Sequence, residues 1–192
     1  MHSSEARERV LQAAEQLFAE RGYTAVTVKD IARAAGLHHA SLYHHATDGK
    51  EGLFVEVTKR TLRRHQEGIA AAISQAGDDL RAQLQGIAAW LLAQPPMDLI
   101  RMVHSDAPAI GATVAQTLLA SAYEAVLVPI ESILQQAQAR GEIAHPNVGN
   151  IAGAIFSAIQ GLHTLPTEYL AMPRQAMANE IIDVFIAGLR NS

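Results

Sequence analysis

Residues 24–46, TAVTVKDIARAAGLHHASLYHHA, spell two short helices joined by a tight turn. Thr27 caps the first through its hydroxyl, and Asp30, three residues later, is its capping-box partner. Val28, Ile31, Ala32 and Ala35 recur at helical spacing and give that helix one apolar face. Gly36 stands where the helix must stop, since glycine takes the left-handed conformation without a Cβ clash. Leu37 then turns back toward the core. The second helix runs from about His38 or His39 to His45, with Leu42 pointing inward.

So short a second helix buries little, and its outer face is left with chemistry. Ala40 and Ser41 are small enough to let the backbone approach another surface. His39, Ser41, Tyr43 and His44 supply hydrogen-bonding groups suited to phosphates and base edges. In a helix-turn-helix, the second helix is the one that enters the major groove.

The run TVKDIARAAGLHHASLYHHA, followed by GKEGLF, resembles the N-terminal domain of the TetR family of ligand-responsive repressors. The family pattern has a small polar residue at His38, Gly or Ala at Ala40, Ser or Thr at Ser41, then Leu-Tyr, matched by Leu42 and Tyr43. It has an aromatic where this chain has Ala46, a departure that removes a hydrophobic plug beneath the motif. The connection Thr47-Asp48-Gly49-Lys50 resembles the branch with a Gly-Gly-Lys turn. The resemblance covers about residues 5–60. It implies DNA contacts at Thr27, Lys29, His38, His39, Ala40, Ser41, Tyr43, His44 and Lys50, with Lys50 on a backbone phosphate. Beyond residue 60 it rests on length and helical layout.

The chain has 192 residues, few aromatics and no alternating β-branched runs, so the expected class is all-α, with about nine helices. The net charge of −4 argues against a generally basic nucleic-acid binder. Its distribution is uneven: residues 1–65 carry +2 and residues 66–192 carry −6, and six of the nine histidines lie in the front part. There is no cysteine, which removes disulfides and thiolate metal sites. MHSSEARERV has no apolar core, and no uninterrupted apolar stretch reaches membrane-span length, so the expectation is a soluble, cytoplasmic chain with no membrane partner.

The expected domains are residues 1–50, the helix-turn-helix head, and 51–192, for ligand binding and dimerisation. A first helix over about 4–21 ends at Gly22; Arg7 and Arg9 near its start could reach a phosphate, though surface arginines are usually only solvated. A fourth helix starts at Asp48, and its cluster Lys59, Arg60, Arg63, Arg64 and His65 reads as a solvated face. A fifth helix ends at Gln94-Pro95-Pro96, and a short sixth covers about 98–105. A long seventh over about 112–140 carries Pro129, which should kink or divide it. The last two, about 147–165 and 174–189, are apolar over more than one face and rich in small residues. They suggest a helix pair packed on a copy of itself, a two-fold homodimer reading a palindromic site.

The resemblance implies a small-molecule effector in the rear part. Trp90, Met97, Met102, His104, Tyr123, Phe156, Gln160 and His163 are the candidate lining, an adaptable apolar wall with a few polar tips suited to an apolar ligand. An enzyme is the rival class. His104, Ser105 and Asp106 offer nucleophilic and acid-base types, but helical neighbours point different ways. His38 and His45 stand about 10 Å apart by helix rise, too far to share a metal. The expectation is therefore a ligand-responsive transcriptional regulator, most simply a repressor, with no catalytic residues, metal or cofactor. The alternative is a helical interaction module or small-molecule binding protein without DNA binding.

Overall fold

A computed structural model describes residues 2–42, 46, 48–96, 101–144 and 147–190. Among these the fold is all-α, as composition and periodicity predict. The helices are α1 (His2–Ala25), α2 (Val28–Ala34), α3 (His39–Leu42), α4 (Gly49–Ala76), α5 (Leu80–Ala93), α6 (Ala112–Ala122), α7 (Val128–Ala139), α8 (Val148–Thr164) and α9 (Arg174–Arg190).

The chain divides into two compact units. The first joins Met1–Leu62 to Met97–Ser121, and the second joins Arg63–Pro96 to Ala122–Ser192. This differs from the expected boundary at residue 50. Half of α4 stays with the front helices, and a later segment returns to them.

The first unit is held by an apolar cluster to which every one of its helices contributes. Val10, Ala14 and Phe18 come from α1, Ile31 and Ala32 from α2, Leu42 from α3, and Leu53, Phe54 and Val57 from α4. Phe18 meets Phe54 edge-on at 5.2 Å, and Tyr23 lies 5.0 Å from Phe54. Ala46, where the family pattern calls for an aromatic, is buried in the same cluster. From the later segment Met102, Ile110, Ala115 and Leu118 join it.

In the second unit α5 packs against α7, α8 and α9. Leu84, Ile87 and Leu91 of α5, Ile130, Ile133 and Leu134 of α7, Ile155 and Ile159 of α8, and Ile182 of α9 are all fully or nearly fully buried. Arg81 of α5 grips Asp183 of α9 through both carboxylate oxygens. Trp90 packs closely against α4 at Gly68: a Cβ there would fall 2.0 Å from its Cε2.

The α-helical pattern is interrupted just before Pro129, where α6 gives way to α7. The chain nevertheless stays helical over Ala112–Ala139. A wide π turn at Tyr123–Leu127 precedes the proline, and the Val128 amide bonds to the Tyr123 carbonyl. That extra residue makes room for a ring that would otherwise strike the preceding turn. By length and composition this helix is apolar enough to cross a membrane, which corrects the reading that no such stretch exists. Its buried residues recur at helical spacing, while Gln116, Glu124, Gln135 and Gln138 are exposed, the pattern of an amphipathic core helix.

The basic run in α4 is not uniformly a solvated face. His65 is 1% exposed, a correction to the expectation. Arg60 makes a two-pronged pair with Glu8 of α1 at 2.5 and 2.8 Å. Lys59 and Arg63 are exposed as expected. Helix period explains the split: residue 65 falls on the same stripe as Leu62 and Ile69, both buried.

Candidate nucleic-acid interface

Thr27 opens α2 with a reciprocal capping box. Its hydroxyl accepts from the Asp30 amide at 3.2 Å, and the Asp30 carboxylate accepts from the Thr27 amide at 3.0 Å. The Thr27 hydroxyl, donating to Asp30, holds that carboxyl below its ordinary pKa. A cap of this kind contributes about 1 kcal/mol. At the other end Gly36 has φ 67°, the left-handed region. The Leu37 amide reaches back to the Ala32 carbonyl at 2.9 Å and the Gly36 amide to Arg33 at 3.2 Å. This pair of bonds is a Schellman motif, and it turns the chain sharply into α3. Half-buried Leu37 packs on the core beside it.

α3 is anchored by Leu42, which is fully buried, and shows Ser41 and the preceding His38 to solvent. Thr27 and Lys29 are exposed on the N-terminal side of α2. Of His39 and Ala40 the structure describes the backbone only, as the first two residues of α3. Tyr43, His44 and His45 lie outside the described residues. Thr27, Lys29, His38 and Ser41 are thus all exposed on one small helical pair.

Lys50 makes contacts within the chain that the sequence did not disclose. Its ammonium donates to the carbonyls of Tyr23 at 2.9 Å and Val26 at 3.0 Å. It also sits 4.1 Å from the centre of the Tyr23 ring, a cation–π contact. Two of its three protons therefore tie the α1–α2 corner, leaving one for an outside acceptor. Burial raises the pKa of the Tyr23 phenol. Arg7 pairs with Glu56 at 2.8 Å, and Arg9 leans on the Ala35 carbonyl at 3.4 Å, so neither is simply solvated.

The effector candidates do not gather in one unit. Met102 and His104 fall in the first, where Met102 is buried core and His104 is exposed. Trp90, Tyr123, Phe156, Gln160 and His163 fall in the second. There Phe156 is buried, and His163 Nε2 lies 3.3 Å from the Leu91 carbonyl. Tyr123 is 46% exposed, with its hydroxyl on Glu131, which raises the phenol's pKa. The Trp90 indole nitrogen is buried without a hydrogen-bond partner. Met97 lies outside the described residues. His104 and Ser105 are exposed while Asp106 is 3% exposed, so the three do not converge.

The model of the family described as "Bacterial regulatory proteins, tetR family" matches residues 10–57. Over 85 residues the chain is 40% identical to the transcriptional repressor KstR2 of Rhodococcus jostii, covering 42% of this chain and 39% of that one. The chain thus matches well under half the length of that relative. Two solved structures share the whole fold. A regulatory protein in the tetR family from Rhodococcus RHA1 has a TM-score of 0.77 at 16% identity, covering 96% of each chain. The fatty acid degradation regulator FadR of Bacillus halodurans has a TM-score of 0.73 at 18% identity, also over 96% of each.

Proposed function

We propose that this chain, whose residues 10–57 match the tetR-family model, is a transcriptional regulator that acts by repression. It binds a palindromic operator as a homodimer and leaves it when an apolar small molecule is bound. The observation that carries this reading is the α2–α3 corner. A capping box and a Schellman turn, both complete, set the start of α3, whose described residues have Leu42 as a buried anchor and Ser41 exposed. A corner fixed in this way presents α3 in one orientation, which a groove-reading role requires.

In this reading α3 enters the major groove. His38, His39, Ala40, Ser41, Tyr43 and His44 face bases and sugar-phosphate, while Thr27, Lys29 and the third proton of Lys50 face phosphates. One recognition helix reads few base pairs, so two copies are needed. Support for the second copy lies in α8 and α9. Val184 is 73% exposed, and around Gly153, Gly161 and Gly188 an added Cβ would meet nothing within 4 Å. The effector site is proposed in the second unit around Trp90, Phe156, Gln160 and His163. An effector acts only by binding the free and DNA-bound arrangements unequally.

The test is selection of duplexes from a random-sequence pool by the purified protein, followed by gel shifts at several salt concentrations. A palindromic consensus bound with a steep salt dependence is expected. Failure to enrich any sequence overturns the reading in favour of an interaction module.

A further inference from the structure

Residues 101–106 lie beyond the stretch matched by the family, yet they belong to the first compact unit. They meet it at the end of α1. There Gly22 leaves the helix with φ 77° and ψ 170°. Arg101 Nη2 donates to the carbonyls of Phe18 at 3.1 Å and Ala19 at 3.0 Å, the last-turn acceptors of α1 before the break. Asp106, 3% exposed, accepts the Tyr23 amide at 2.8 Å from Oδ1. Arg101 Nε stands 3.7 Å from Asp106 Oδ2, so the buried carboxylate has its charge partner at hand.

Gly22 makes the approach possible. A Cβ there would stand 3.1 Å from Asp106 Oδ1 and 3.2 Å from Arg101 Cδ. Tyr23 is then held from both sides. Its amide is on Asp106, its carbonyl is on Lys50, and its ring lies under the Lys50 ammonium. Only three residues separate it from Thr27, the cap of α2. The direction in which the chain leaves Tyr23 therefore sets where α2 begins.

We propose that Asp106 is a positioning residue for DNA recognition. By accepting the Tyr23 amide it fixes the α1–α2 corner, and through it the setting of α2 and α3, without touching nucleic acid itself. Arg101 supports it by holding the end of α1. The recognition unit thus includes a side chain some fifty residues past the family match. The inference rests on the DNA-binding reading above.

The experiment uses the full chain, the duplex that wild-type protein enriches from a random pool, and an unselected duplex as reference. Asp106→Ala should bind the selected duplex about tenfold more weakly, because a buried amide loses its acceptor and the corner relaxes. Binding to the unselected duplex and the salt slope should not change, since no phosphate contact is removed. Asp106→Asn keeps an acceptor and should stay within about threefold of wild type. Hydrogen exchange at the Tyr23 amide should quicken in the alanine variant and not in the asparagine one. If Asp106→Ala does not fold, Arg101→Met serves, with a loss of about threefold confined to the selected duplex. Wild-type binding by the variant used overturns the inference alone, and so do equal losses on both duplexes. A wild-type chain that enriches no duplex overturns the regulator reading and this inference with it.

Discussion

The α1–α2 corner and the outer faces of α8 and α9 treat their side chains in opposite ways. At the corner, polar groups are turned inward onto the backbone. Lys50 holds two carbonyls, Arg101 holds two more, and Asp106 and Asp30 each hold an amide. On α8 and α9, small and apolar groups are turned outward, with Val184 the clearest case. A backbone corner packed with directional bonds has one geometry, which is what a groove-reading helix requires. An exposed apolar side chain such as Val184 makes no directional bond, which is why the proposed dimer is placed on this face.

The contrast can be broken most sharply at two glycines. Gly22→Ala would force a side chain into φ 77°, ψ 170° and against Asp106. We expect a loss of about 3 kcal/mol in thermal unfolding of the first unit. Gly68→Ala would drive a methyl into the Trp90 ring, 2.0 Å from Cε2. A similar loss of about 3 kcal/mol is expected in the second unit, read by fluorescence of the chain's single tryptophan. If the two variants change the same transition equally, the units do not melt separately.

Val184→Asp addresses the other side of the contrast. Monomer folding should be unaffected, because the side chain is exposed. If the proposed dimer uses this face, its dissociation constant, measured by sedimentation, should rise by at least about tenfold as a charge from each copy is brought into the contact. An unchanged assembly would remove this face from the interface.

Lys50→Met sharpens the corner. Losing two carbonyl bonds and the contact with Tyr23 should lower stability by about 1–2 kcal/mol. If the third ammonium proton also meets a phosphate, the salt slope of operator binding falls by about one; an unaltered slope confines Lys50 to the corner.

The smallest effect is expected between α1 and α4. Arg60, bonded to Glu8, holds that carboxyl below its ordinary pKa. A carboxyl lowered on folding contributes stability that is present above the ordinary carboxylate pKa and lost as pH falls through the lowered value. Both partners are 42% exposed, so Glu8→Gln should cost less than about 1 kcal/mol at neutral pH. The difference from wild type should shrink in high salt and vanish in acid.

Local signals in the chain were legible without coordinates. The Thr27–Asp30 box, the stop at Gly36, the inward Leu42, the break at Gly22 and the bounds of α9 each depend on residues within one or two turns of each other. Hydrophobic period sufficed for the all-α class. Where a contact spans distant parts of the chain, pattern had nothing to read. His65 was expected in water and is buried, although it shares a stripe with Leu62 and Ile69; its basic neighbours masked that period.

Short-range stereochemistry therefore settled in advance which residues form helices, where the caps fall and which side of α3 is apolar, because those choices are made by neighbours along the chain. Folding in three dimensions alone assigned Lys50 to two carbonyls, returned residues 101–121 to the front unit and aimed Asp106 at the Tyr23 amide. The reason is physical: a charged side chain removed from water takes whichever partner the packed backbone brings within reach, and that partner carries no mark in the order of the residues.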